Sequence, residues 1–283
     1  EPIIFTADED NAKSGHWGGI IINGKAPISG DKEDKSNTAL AEINNKYPYG
    51  GNNAADNSGV MTYVSICYAG ARSTQDIEHN GLTLNGVGNG TTIENIYVLE
   101  SADDAIEFFG GTVNVKNLLA VNPDDDMFDF TQGYCGTLSN CYGIWESDYT
   151  STEADPRGIE ADGNFDGLYP NHLRQSDFVV DGMTIVNNAA NTTDNVDRMQ
   201  DVIKIRRGAK ATIKNALVKG TGGAIDLVDM NDGKGAGNAA STISITNSLQ
   251  LTGKKLNGEA VLNEAGSNTG ADTSVFGWTK YNF

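Results

Sequence analysis

Long apolar runs are missing from this chain of 283 residues: nowhere do ~18 consecutive apolar residues occur, so no stretch reads as a membrane-spanning helix. No basic leader with an apolar core opens it either. It starts on "EPIIFT", which reads as a strand, and a signal and an N-terminal segment are expected to precede it. Proline is scarce, with 6 residues against 34 glycines and 30 asparagines, which marks a turn-rich chain rather than a disordered one. The three cysteines, Cys67, Cys135 and Cys141, make no CxxC pair, and His16, His79 and His172 are scattered, which argues against zinc. Cys135 and Cys141 could bridge in an oxidising compartment; free buried thiols are the preferred reading. Positive charge is also short. Lys and Arg number 20 against 38 Asp and Glu, and the net charge of −18 disfavours nucleic acid and favours cations, basic partners or plain solubility.

What the chain does have is a repeat. "DDAIEFFGG" (103–111), "DDMFDFTQG" (125–133), "PRGIEADGN" (156–164), "QDVIKIRRG" (200–208) and "GGAIDLVDM" (222–230) each read apolar, charged, apolar. Their charged centres are Glu107, Asp129, Glu160, Lys204 and Asp226, at spacings of 22, 31, 44 and 22. A second set alternates with them. "TIENIYV" (92–98), "NVKNLLA" (114–120), "TLSNCYG" (137–143), "TIKNALV" (212–218) and "SITNSLQ" (244–250) carry asparagine at the fourth place, and "VVDGMTI" (179–185) carries Gly182 there. Short alternating apolar runs at a period near 22 predict a solenoid of strands, not of helices. Asparagine tolerates the left-handed backbone of a sharp corner, and stacked amides can bond from coil to coil. Asn95, Asn117, Asn140, Asn215 and Asn247 are therefore expected in one column.

These features resemble the right-handed parallel β-helix of the pectate-lyase superfamily, over roughly residues 17–250. "HWGGIIINGKAPI" (16–28), "NNAADNSGVMTYVSICYAG" (52–70) and "AIEFFGGTVNVKNL" (105–118) are also similar to a mostly uncharacterised family of bacterial secreted or lipid-anchored β-helix proteins. The resemblance implies a single all-β domain over 1–283. Residues 29–59, 145–176 and 187–199 break the period as loop insertions, and 251–283 form a C-terminal capping segment. The closing "GWTKYNF" looks like that family's C-terminus, whereas an N-terminal coil and cap are expected to lie outside this sequence.

In such a coil Phe128 and Phe130 point inward, onto Ile106 and Phe108 on one side and Ile159 and Ala161 on the other. Phe108, Phe128, Phe130, Ile159, Ile203, Ile205, Ile225 and Leu227 are expected in the core. Asp129 points outward between Glu107 and Glu160, and the preceding corners add Asp103, Asp104, Asp125 and Asp126. Carboxylates stacked at ~4.8 Å repel. Three outcomes are open. A cation, with Ca²⁺ the natural choice, could bind Asp103, Asp104, Glu107, Asp125, Asp126, Asp129 and Glu160. Arg157, Lys204, Arg206 and Arg207 could neutralise them. Or the acids could stay solvated.

The resemblance also implies how an enzyme of this fold would work. Its lyases hold Ca²⁺ with acids and use a basic residue, and its hydrolases use paired aspartates. "NPDDD" and "VIKIRRG" faintly echo such sites, and Arg157, Arg206 and Asp129 would be the catalytic set. The glycine motif with histidine is missing, and His172 in "LYPNHLRQ" has the wrong context, so catalysis is not the expected function. In the second insertion Trp145, Tyr149, Phe165 and Tyr169 could stack on sugar rings, although packing of the loop onto the rod is the preferred role. The expected protein is a non-catalytic, cation-stabilised structural or adhesive protein, secreted or at the cell surface. Its partners would be copies of itself, in a filament or surface layer, or extracellular polysaccharide. A polysaccharide binder or Ca²⁺-dependent lyase is the alternative.

Overall fold

The computed structural model describes residues 1–32, 36–72, 77–189 and 199–283. Most of the insertion expected at 187–199 lies outside them. The chain is a right-handed parallel β-helix whose coils alternate between two long parallel sheets. One sheet takes β1 (Ile3–Phe5), β5 (Val60–Cys67), β7 (Thr92–Leu99), β9 (Asn114–Val121), β11 (Thr137–Trp145), β13 (Asp177–Asn187), β15 (Lys210–Lys219), β17 (Thr242–Asn247) and β19 (Val261–Glu264). The other takes β2 (Ile20–Asn23), β6 (Leu82–Asn85), β8 (Ile106–Phe109), β10 (Phe128–Thr131), β12 (Ile159–Asp162), β14 (Met199–Arg206), β16 (Gly223–Asp229) and β18 (Gln250–Leu251). The rod therefore begins before residue 17 and continues past residue 250.

Six strands of the first sheet, β5 to β15, are each bent by one left-handed residue, with Tyr63, Asn95, Asn117, Asn140, Gly182 and Asn215 in the same slot of successive coils. Only a residue that tolerates positive φ can turn the strand there. Asn117 donates to Asn95 Oδ1 and Asn140 to Asn117 Oδ1, each at 2.9 Å. Glycine at 182 interrupts this ladder, and Asn215 bonds instead to Thr269 and Gly270 of the C-terminal segment. Asn247 does not join the column. β17 lacks the left-handed residue, so its register shifts and Asn247 lies opposite Val218.

The core runs along the rod axis. Phe108 stacks on Phe130 at 5.1 Å, and Phe130 on Phe178 at 4.2 Å. The expected core residues are buried, with the exception of Ile225, which is partly exposed. The cause is a longer coil. Lys204 pairs with Asp229 rather than Asp226, and Asp226 pairs with Asp201, so the outer column ends on Asp229.

Two segments leave the solenoid. Residues 38–50 form an antiparallel hairpin, β3 (Thr38–Ala41) and β4 (Asn44–Gly50), in the insertion expected to be loop. After β19 the chain folds back along the flank of the first sheet. Phe276, in a short 3-10 turn, is buried there against Leu119, Val121 and Tyr142. Cys141 is a buried thiol, and the Cys135 Sγ donates to the Gly133 and Gln175 carbonyls, so the two do not bridge. Among the described residues no helix is long and apolar enough to cross a membrane.

Candidate functional site, an acidic cleft under a hairpin

Strand alternation sends Phe128 and Phe130 into the core and turns Asp129 out onto the face of the second sheet. Parallel register then sets Glu107, Asp129 and Glu160 side by side on β8, β10 and β12. The corners before β8 and β10 repeat at the same interval, so Asp103 and Asp104 meet Asp125 and Asp126. The Asp126 amide donates to Asp104 Oδ1 at 2.9 Å, tying one corner to the next.

All seven acids proposed from the sequence as ligands converge. They form three groups: Asp103, Asp104 and Asp125; Asp104, Glu107 and Asp129; Asp126, Asp129 and Glu160. Within each group the candidate ligand oxygens lie within 4.8 Å of one another. Asp104 and Asp129 each belong to two groups, so the three form a continuous file. Asp125, Asp126 and Asp129 each keep a buried Oδ1 with no hydrogen-bond partner, and Asp126 is only 3% exposed. Such orphaned oxygens are uncommon in folded proteins.

Burial raises the carboxyl pKa values here, and neighbouring carboxylates add to it. Asp126 lies well above the usual range through burial, then Asp125 and Glu160. Asp129 does so through burial, then Glu160 and Asp162. Asp125 is pushed up to about 7 by burial, then Glu160. Cations counter this mostly at one end, although Arg72, paired with Glu78 at 3.1 Å, also attracts Asp103. Arg157 pairs with Asp155 at 2.7 Å and with Glu160; Arg206 pairs with Asp162 at 2.6 Å and with Glu160; Lys204 pairs with Asp229. Among the described residues no lysine or arginine forms an ion pair with Asp103, Asp104, Glu107, Asp125, Asp126 or Asp129.

The hairpin turns this face into a cleft. Tyr49 is buried and its hydroxyl donates to Gln132 Oε1 at 2.7 Å, anchoring β4 over β10. The Glu42 turn overhangs a polar compartment of about 200 Å³ floored by the acidic groups. A second compartment of about 400 Å³ shares Glu42, Glu107, Asp129 and Glu160 and adds Leu40, Tyr49, Phe109 and Phe165 as apolar walls. Asn80 donates to Glu107 Oε2 at 2.6 Å. Glu42, Tyr49, Asn80 and Gln132 were missed in the sequence. They lie outside the repeated motifs, and nothing local tells which coil the insertion folds over.

The aromatic candidates separate. Trp145 is 1% exposed, and its Nε1 donates to the Pro123 carbonyl at 2.9 Å, so its ring cannot stack on a sugar. Tyr149 packs against Trp145 and donates to Asp124 Oδ1 at 3.1 Å. Phe165 stacks on Tyr169, whose hydroxyl donates to the Asp31 carbonyl, and Phe165 lines the larger compartment. His172 Nε2 lies 3.0 Å from the Ser36 carbonyl, away from the acids, in a loop-packing position.

Of the catalytic set, Asp129 sits one coil from Glu160, which Arg157 and Arg206 grip from both sides. Burial works to lower the Arg157 pKa, but Glu160, Asp126 and Asp155 outweigh it and the net shift is upward. Arg206 behaves alike: burial lowers, Glu160 and Asp162 prevail. That is the opposite of what a base needs. A file of hard oxygen donors at irregular spacing suits divalent cations with flexible coordination.

Neither a search of curated proteins nor one of solved structures returned a match. The family model for a pectate-lyase-like β-helix domain matches residues 1–280, in keeping with the coils and stacked corners above, and the chain belongs to that family.

Proposed function

We propose that the protein is a non-catalytic, secreted or cell-surface β-helix protein whose acidic cleft binds divalent cations, Ca²⁺ in particular. The observation that carries this reading is the buried, unpartnered Oδ1 of Asp126 beside Asp129 and Glu160. A carboxylate removed from water needs a compensating charge; Arg157 attracts Asp126 from a distance, but among the described residues no lysine or arginine pairs with it. Extracellular Ca²⁺ modules bind at about 10⁻⁴–10⁻³ M, and a site of several carboxylates belongs in or below that range. Calorimetric titration with CaCl₂ should show saturable binding that releases protons and is weakened at least roughly tenfold in Asp126→Asn. Heat that never saturates, or an Asp126→Asn titration that matches the wild type, would sink the reading.

Structural or adhesive use, in a filament or surface layer, is in keeping with a rod of stacked coils whose two long sheets run side by side. The polysaccharide reading has one observation in its favour, the half-apolar compartment at Phe109 and Phe165. Binding fits it better than lyase chemistry, because both arginines are held in ion pairs.

A further inference from the structure

The column on the floor of the cleft continues beyond it. In register order it reads Glu107, Asp129, Glu160, Lys204 and Asp229. In its far half the chain answers its own acids with nitrogen cations. The Lys204 ammonium sits on Asp229 and 3.7 Å from Asp201, and two guanidinium groups hold Glu160. An ammonium cradled by carboxylates of neighbouring coils is therefore something this scaffold builds. The near half has the same geometry of acids. There Asp126, almost wholly buried, keeps an Oδ1 with no hydrogen-bond partner, and its carboxylate groups with those of Asp129 and Glu160 within 4.8 Å. That orphaned oxygen points to a cation as its partner, independently of the acidity around it.

A bare ion would use only the polar compartment. The adjoining compartment presents carbon: Leu40, Tyr49, Phe109 and Phe165 stand beside Asp129 and Glu107. Leu40 is 46% exposed on that wall. Apolar surface next to carboxylates suits an organic skeleton that carries positive charge, and aromatic faces attract such a cation further.

We infer that the cleft binds an organic ligand bearing primary ammonium groups. One ammonium lies against Asp126 and Asp129 as Lys204 lies against Asp201 and Asp229, and the skeleton lies against Leu40 and Phe165. Because stacked acids recur at ~4.8 Å, a ligand with several ammonium groups along a chain binds more tightly than a monoamine. Linear polyamines and oligomers of de-N-acetylated amino sugars share this chemistry. The inference rests on the reading of the cleft as a cation site and adds a ligand class to it.

The test is calorimetric titration of the full chain at about 0.15 M NaCl, where long-range charge effects are screened. The probes are CaCl₂, spermidine, a glucosamine tetramer and its N-acetylated form. Spermidine or the free-amine tetramer should saturate the protein and compete with Ca²⁺, while the acetylated tetramer stays silent; whichever binds identifies the source. Phe165→Ala and Leu40→Ala, both at partly exposed positions, should weaken amine binding roughly fivefold each and leave Ca²⁺ binding unchanged. Asp126→Asn should weaken both. Ca²⁺ binding without either amine overturns this inference and leaves the cation site standing. Amine binding indifferent to Phe165→Ala and Leu40→Ala is charge screening and also overturns it. Silence of every probe removes both readings, whereas amine binding with the expected sensitivity but no Ca²⁺ removes only the divalent one.

Discussion

A buried carboxyl group avoids uncompensated charge by taking up either a proton or a cation. Without metal, burial and the neighbouring carboxylates hold the Asp126 and Asp129 carboxyls well above the usual range, and Asp125 is pushed up to about 7. Their unfolded values are about 4. Folding therefore binds protons in the interval between. The stability these groups contribute is complete below about pH 4 and is lost as pH rises through the folded values. In EDTA, the melting temperature should fall from about pH 5.5 to about pH 8, and Asp126→Asn should flatten that slope. A metal-free protein that instead gains stability over this interval would contradict the assignment. On the inner side of the same strand Phe128 is fully buried, and Phe128→Ala should cost about 3–5 kcal/mol in a denaturant melt. A loss under about 1 kcal/mol would mean that the alternation is one residue out of phase.

At the scale of elements, the bend in six strands of the first sheet, β5, β7, β9, β11, β13 and β15, and the register between their coils are set by one residue in each. Asn117 meets two demands at once. It holds φ at 58° and makes two amide bonds, to Asn95 and from Asn140. Asn117→Gly keeps the backbone and should lose about 1–2 kcal/mol of hydrogen bonding. Asn117→Ala adds the left-handed penalty of about 1–2 kcal/mol and should be the worse of the two. If the two variants melt alike, the slot is held by something other than its backbone conformation. The hairpin has its own anchor. Tyr49→Phe leaves Gln132 Oε1 buried without its donor, which should cost about 1–3 kcal/mol and loosen the roof of the cleft. Ca²⁺ affinity measured on that variant reports whether the Glu42 turn contributes to the site.

Across the whole molecule the net charge is −18, and ten of the acids line the polar compartment on the second sheet beside one arginine, Arg157. A Ca²⁺ ion bound only by the folded state adds about 2.7 kcal/mol at one hundred times its dissociation constant. Unfolding should shift to higher temperature in millimolar Ca²⁺, and the shift should shrink in Asp129→Asn. Sodium at matched ionic strength is the control, because screening alone relaxes a chain of this charge. If sodium reproduces the full shift, the acids are balanced by protons and by the chain's own arginines and lysine, without a specific ion.

The repeat of apolar–charged–apolar strands and of corner asparagines was enough to read a β-helix, its core phenylalanines and the seven acids of the file. Local alternation and a fixed period specify which way each side chain of a regular coil points. The period failed where coils change length. β16 arrives three residues late, so Asp229 rather than Asp226 meets Lys204, and the unbent β17 takes Asn247 out of the ladder. No residue nearby marks either offset; each is decided by pairing with the coil before. Tertiary structure alone decided that the hairpin roofs the acids, that Trp145 is core while Phe165 faces the cleft, and that Arg157, Arg206 and Lys204 gather at one end. These are contacts between residues far apart in the chain, and burial by a distant segment, unlike strand alternation, leaves no local pattern in the residues it covers.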